Sequence, residues 1–194
     1  MTFTPLPTWL TTAALTFALA LTSAVAPAHA NAPDMSLSAA LQNKQVVGSA
    51  RLRVWGFDVY DMRLKAGPSF DATRFADGPL ALELSYLRNL KGADIAERSI
   101  DEMRNLDTID PAQASTWLAA MRNLFPDVKK GDRLAGVHQP GRGASFDLND
   151  RLLGEVADPR FSRLFFGIWL SPKTSQPAMR ETLLQGLTPV ARNP

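Results

Sequence analysis

Residues 158–170, DPRFSRLFFGIWL, limit the possible folds more than any other segment of the chain. Asp158 can cap a helix here, and Pro159 suits its first position because proline lacks an N–H that the helix would need. The apolar side chains then follow helical spacing and form one wide stripe: Phe161, Leu164, Phe165, Ile168 and Trp169. A stripe this wide has to be buried, so the fold needs an extended apolar surface under this helix.

The segment QVVGSARLRVWGFDVYDMRL (45–64) is β-like and can supply part of that surface. Leu52 alternates with Arg51 and Arg53, so one face of the first strand is apolar and the other is basic. Glycine at position 56 is expected to form a turn or a bulge.

The remaining segments alternate between strands and helices. Helix 110–125 has a full start signal, with Asp110 at the cap position and Pro111 after it, and Asn149-Asp150 predicts a tight hairpin turn. The other expected elements are a strand at 80–87, a helix at 92–106, short antiparallel strands within 132–156 and a last helix at 176–185. This order predicts an α+β fold in which helices cover an antiparallel sheet.

The N-terminal segment has the pattern of a secretory signal peptide. An apolar, uncharged run is followed by APAHA, which predicts cleavage after Ala30 and export to the periplasm or beyond. No Lys or Arg precedes the run, so a retained membrane anchor is the alternative. After cleavage we expect one domain, residues 31–194, with no integral membrane segment.

Composition excludes several functions. The formal charge of +2 is small and evenly mixed, which argues against nucleic acid as the partner. The chain has no cysteine, which excludes thiol catalysis and cysteine-ligated metals. His138 is the only histidine of residues 31–194, and no ligand cluster accompanies it, so neither a metal nor another cofactor is expected.

Isolated polar residues give weak signals for catalysis. His138 beside Pro140 is expected at the surface or at a sheet edge, and no G-x-S-x-G nucleophile motif is present. Glu97, Asp101 and Glu102 are expected on the solvated face of a helix. The catalytic residues, if there are any, stay unassigned from these patterns.

Arg51 and Arg53 allow two interpretations. On a solvated face they would stay in water or meet acidic residues across the sheet. Facing inward under the helices, a guanidinium would need a bound carboxylate, a phosphate or an internal acid, because an unpaired buried charge is too costly.

Several segments resemble bacterial chalcone isomerase-like proteins. They are GSARLRVWGFDVYDMRL, LELSYLRNLKGADIAERSIDEM and DPRFSRLFFGIWLSPKTSQPAMRETLL, and the resemblance runs from about residue 45 to residue 184. The resemblance implies an open-faced sandwich, a large antiparallel sheet covered on one side by a layer of helices. The cleft between the layers binds flavonoids in the plant enzymes and fatty acids in plastid relatives.

The family pattern also points to residues. The arginine and tyrosine that hold a fatty-acid carboxylate in plastid relatives suggest Arg51, with Arg53 as the alternative. Tyr60 matches the catalytic threonine of the plant enzymes. Ile95 and Glu102 stand where those enzymes have a tyrosine and an asparagine, and isoleucine cannot orient a water or polarise a ketone.

These observations favour an exported, non-catalytic binder of a small amphipathic or anionic apolar ligand, such as a fatty acid. Arg51 or Arg53 and Tyr60 would hold its polar head, while Phe165 and Trp169 would line the tail region. The first alternative is an isomerase or intramolecular lyase acting on an enone, with Tyr60 as the acid. The second is a structural or partner-binding protein with a closed cleft. The sequence predicts no oligomeric state.

Overall fold

The sheet is built from six strands, each of which pairs antiparallel with its neighbours in the chain. The computed structural model describes residues 44–187. The strands are β1 (Gln45–Val54), β2 (Phe57–Ala66), β3 (Leu80–Tyr86), β4 (Arg133–Gln139), β5 (Gly143–Leu148) and β6 (Arg151–Val156). The predicted α+β class with one large antiparallel sheet is confirmed.

Two of the hairpins close through two-residue turns whose residues all have positive φ. Trp55 (φ 49°) and Gly56 (φ 81°) join β1 to β2, and Asn149 (φ 51°) and Asp150 (φ 67°) join β5 to β6. Left-handed turns of this kind match the right-handed twist of paired strands. Both turns lie where the sequence predicted them.

Four α-helices lie within the described residues: α1 (Gly92–Leu106), α2 (Pro111–Leu124), α3 (Pro159–Leu170) and α4 (Pro177–Leu184). A short 3₁₀ helix, Ala72–Asp77, precedes β3. The predicted caps are present. The Asp110 carboxylate accepts hydrogen bonds from backbone N–H groups of α2, and the Asp158 carboxylate accepts them from α3. Such caps stabilise a helix by about 1 kcal/mol each.

The helices pack on one face of the sheet, and the main core lies between the two layers. Helix α3 buries its predicted stripe against β4 and β5. Helix α4 approaches β1 so closely that a Cβ at Gly48 would lie 2.0 Å from the Leu183 carbonyl oxygen. Only glycine allows this contact, which holds α4 against β1.

One buried residue departs from the sequence prediction. His138 is not at the surface but buried on β4, where its ring nitrogens lie 2.6 Å from the Ser162 hydroxyl and 2.9 Å from the Ala76 carbonyl oxygen. Burial lowers the pKa of the imidazole, so it stays neutral at pH 7. Its partners lie in α3 and in the 3₁₀ helix, far from residue 138 in the chain, so the sequence around His138 could not predict its burial.

The predicted signal peptide, residues 1–30, lies outside the described residues, as does the start of the predicted domain at residue 31. Cleavage and export therefore stay predictions. Within residues 44–187, no helix has both the length and the apolar character that a membrane span requires.

Candidate functional site

A cavity of about 710 Å³ lies between the sheet and the helices α1, α3 and α4. This volume falls within the roughly 300–1,000 Å³ typical of small-molecule sites. Its inner walls are mainly aliphatic and aromatic and include Leu82, Leu84, Leu134, Phe146, Phe166 and Ile168. The mouth includes the exposed residues Val54 and Trp55 at the end of β1.

Four of the five predicted site residues line this cavity, and three of them are buried. Tyr60, Phe165 and Trp169 all lie on its wall and are buried. Arg53 lies at the mouth with most of its side chain in solvent. Arg51 is not part of the lining.

Arg51 instead belongs to an exposed ion-pair network on β1 and β2. Its guanidinium donates to Asp61 (Nε to Oδ1, 2.6 Å) and to Asp58 (2.9 Å), and Arg53 Nε donates to Asp58 (2.6 Å). Arg51 lies opposite Asp61, and Arg53 opposite Asp58, in the strand register. We call these four residues the outer arginine cluster.

This placement corrects the expectation that Arg51 faces the cleft. Leu52 and Ala50 on the same strand face inward, so strict alternation puts Arg51 on the other side. The solvated alternative, with acidic partners across the sheet, is the arrangement observed. The hydrogen bond from Arg53 holds the pKa of Asp58 below its usual value, and Asp61 raises the already high pKa of Arg51.

Five of the side chains with polar atoms on the cavity wall form a second group. We call Tyr60, Tyr86, Arg98, Glu102 and Trp169 the inner polar cluster. The indole N–H of Trp169 donates to the Tyr60 hydroxyl oxygen at 2.9 Å, and the rings of Tyr60 and Tyr86 meet edge to face at 5.9 Å. Within residues 44–187, neither phenol hydrogen has an acceptor. Both phenols can therefore donate a hydrogen bond to a molecule in the cavity.

Burial keeps these phenols protonated. It raises the pKa of Tyr60 to about 12, with the nearby Glu102 carboxylate adding a smaller effect in the same direction. Burial also raises the pKa of Tyr86 well above its usual value. At neutral pH both groups are hydrogen-bond donors and very weak acids.

Glu102 corrects a second expectation. The sequence placed it with Glu97 and Asp101 on a solvated helix face, yet Glu102 is only 6% exposed and lines the cavity. The guanidinium of Arg98, four residues earlier on α1, donates to its carboxylate and reaches it from the solvent side. The ion pair thereby offsets the negative charge of the buried carboxylate.

The residues that sequence reasoning missed were Tyr86, Arg98 and the buried role of Glu102. Ile95, Ser99 and Glu102 are spaced by four and three residues, which places them on one face of α1, and all three line the cavity. That spacing was the available signal. No such signal was available for Tyr86 at the end of β3, because the environment of that residue depends on strand pairing. Within residues 44–187 no group of three or more His, Asp or Glu side chains is placed to hold a metal ion.

Fold and site together define an open-faced sandwich with an apolar, tyrosine-containing cavity between its sheet and its helices. The chain belongs to the chalcone isomerase-like family, whose model matches residues 36–185.

Two relatives illustrate the range of this similarity. An uncharacterized protein of Haemophilus influenzae is 33% identical over 143 residues, which cover 72% of this chain and 67% of that protein. The crystal structure of a fatty-acid binding protein of Arabidopsis thaliana superposes with a TM-score of 0.58 at 14% identity, and the match covers 73% of this chain and 87% of that one. At such low identity the second match shows the shared fold alone.

Proposed function

We propose that this protein binds one elongated amphipathic molecule of the fatty-acid type in the cavity between sheet and helices. The observation that carries the proposal is a cavity of about 710 Å³ whose lining is mainly apolar and includes the inner polar cluster. An apolar chain fits against residues such as Phe146 and Phe166, and its burial supplies about 0.8 kcal/mol for each CH₂ group.

The inner polar cluster would bind the polar head. Tyr60 accepts a hydrogen bond from Trp169, and among the described residues neither its own O–H nor that of Tyr86 has an acceptor, so both can donate. A carboxylate or hydroxyl head can accept from both. Arg98 adds a positive charge at the mouth, although part of that charge is offset by Glu102. In this proposal the two tyrosines take the place that the sequence analysis assigned to Arg51 or Arg53.

Family membership supports a ligand-binding role, and so does the fold shared with an Arabidopsis thaliana protein described as fatty-acid binding. We also propose that the protein acts after export to the periplasm or beyond, as the APAHA pattern before residue 31 predicts.

The isomerase alternative has less support from the geometry. Ile95 lies on the cavity wall at the position where the resemblance places a plant catalytic tyrosine. A phenol with a pKa of about 12, such as Tyr60, is a poor proton donor to a substrate at neutral pH. Efficient general acids have a pKa close to the working pH.

The test is to purify the protein gently from its expressing cells, extract it and identify bound small molecules by mass spectrometry. Ile95→Trp fills the cavity from α1, while Leu118→Trp places the same bulk at a half-buried site of α2 outside the lining. We expect a fatty acid or similar amphiphile, near one per chain, in wild type and Leu118→Trp. We expect little in Ile95→Trp.

Thermal unfolding of both variants checks that each is folded. An empty wild-type protein that also fails to bind added laurate contradicts the proposal. A ligand retained equally by a folded Ile95→Trp variant contradicts the assignment to this cavity.

A further inference from the structure

The turn between β1 and β2 exposes large apolar side chains. Trp55 is 95% exposed, and Phe57 is 65% exposed on the other side of the turn. Together with Val54 they make up three of the five large apolar residues exposed within the described part of the chain. Such clustering at one turn marks an interaction surface, whereas scattered exposed residues need no explanation. We call residues 53–57 the hairpin tip.

The backbone shows that Trp55 is not present for the sake of the turn. It adopts a left-handed conformation (φ 49°), which is unfavourable for a bulky side chain. The matching position of the β5–β6 hairpin holds Asn149, a residue suited to this conformation. The same geometry is therefore met with a suitable residue in one hairpin and with an exposed tryptophan in the other.

Within residues 44–187, one arginine beside the hairpin tip has no acidic partner. The Arg88 guanidinium lies 5.9 Å from the Phe57 ring centroid and, within residues 44–187, has no carboxylate within ion-pair distance. Asp58 is held by Arg51 and Arg53. The outer arginine cluster pairs its own charges and Arg98 pairs with Glu102, which leaves the charge of Arg88 available to an anionic surface. Exposed aromatics beside unpaired arginine are suited to the interface of a bilayer with anionic headgroups.

The hairpin tip is continuous with the cavity. Arg53, Val54 and Trp55 all belong to the cavity lining. We propose that the hairpin tip docks on the surface of a lipid bilayer that carries anionic headgroups, with Trp55 and Phe57 inserted at the interface. Docking would bring the cavity mouth to the lipid. The docking itself is independent of the proposed function. A role of the docked tip in loading ligand into the cavity rests on that function.

Hydrogen–deuterium exchange of the full chain, with and without phosphatidylcholine–phosphatidylglycerol vesicles, tests the site directly. We expect slower exchange across the hairpin tip on vesicles and unchanged exchange across the Asn149–Asp150 turn. Because the readout is local, membrane binding by residues 1–43 cannot mimic it. Unchanged exchange at the tip overturns the proposal.

Matched variants give a second measurement. Trp55→Asn supports the turn conformation and Phe57→Ser removes the second aromatic, so the double variant keeps the fold. Leu152→Ser, at a 51%-exposed residue of β6, is the control. We expect the double variant to show little or no protection at the tip. Any protection that remains should need about tenfold more lipid to reach half its maximum, and the control should behave like wild type.

Arg88→Gln should weaken the response only on vesicles with phosphatidylglycerol. Tip protection that persists equally in the double variant contradicts docking through these aromatics. Protection that appears without vesicles as protein concentration rises, and depends on Trp55, would assign the tip to a second copy of the chain instead. Bound ligand found in the cavity without tip docking would leave the proposed function standing and overturn only this inference.

Discussion

The outer arginine cluster and the inner polar cluster meet at β2, where Asp61 belongs to the first and its neighbour Tyr60 to the second. Arg51 and Arg53 are satisfied by Asp58 and Asp61, so their charges are already paired in solvent. In the inner cluster, two phenol hydrogens have no acceptor within the part of the chain that the structure describes, and the cavity lining is mainly apolar.

The difference shows that charge alone does not identify a binding site. A guanidinium that is paired and hydrated gains little from a ligand, because the ligand would displace carboxylates and water. A buried donor without a protein partner gains a full hydrogen bond. Strand β2 therefore carries Asp61, which is already paired with arginine, next to Tyr60, whose hydroxyl can donate to a ligand.

The largest contrast is expected from truncation at adjacent positions. Tyr60→Ala removes a buried ring that contacts Tyr86 and Trp169, and should lower the free energy of unfolding by about 3 kcal/mol or more. Asp61→Ala affects only exposed groups and should cost far less. Urea unfolding of both variants measures the difference, and equal losses would contradict the assignment of Tyr60 to the core.

Alkaline pH should act on the inner cluster. The folded pKa of Tyr60 is about 12, above the usual 10.0, so its contribution to stability is complete below pH 10 and is lost as pH rises through 12. The loss amounts to about 2 to 3 kcal/mol. The free energy of unfolding, measured from pH 9 to 12, should fall less steeply with pH in Tyr60→Phe than in wild type. Identical slopes would show that Tyr60 is not buried as described.

The hydrogen bond between Trp169 and Tyr60 gives a smaller effect. Tyr60→Phe leaves the indole N–H without its partner, and should cost about 1 to 2 kcal/mol. Trp169→Phe in the same background should then cost less than it does alone, because the hydrogen bond is already gone. A double-mutant cycle of unfolding free energies measures this coupling. Strict additivity would mean that the two groups are not bonded.

The smallest effect is expected in the outer cluster. Arg53→Gln removes the main cause of the lowered Asp58 pKa. That contribution is present above the unfolded value of 3.8 and is lost as pH falls through the lower folded value. The stability difference from wild type should therefore be small at pH 7, smaller in high salt, and should shrink further as pH falls below 3.8. A difference that does not shrink with falling pH would point to a packing role.

Local signals predicted the helices and turns well. Asp110 and Asp158 cap α2 and α3 because capping needs only neighbouring residues. The apolar stripe of α3 predicted Phe165 and Trp169 on the cavity wall for the same reason. The fold followed from the order of such elements, supported by the family resemblance.

The polar end of the site could not be predicted in this way. Which face Arg51 takes depends on how β1 lies under the helices, and its partners Asp58 and Asp61 are found only through strand register. Tyr86 faces Tyr60 across paired strands, and the burial of Glu102 depends on how α1 packs. These are contacts between elements, which spacing within one element does not encode.

In the proposed function the inner polar cluster, and not the outer arginine cluster, binds the polar head of the ligand. The most direct test of this assignment is a titration of delipidated protein with laurate, comparing Tyr60→Phe/Tyr86→Phe with Arg51→Gln/Arg53→Gln. We predict that the tyrosine variant binds laurate about tenfold more weakly and that the arginine variant binds like wild type. Loss of laurate binding in the arginine variant alone would show that the outer arginine cluster binds the head instead.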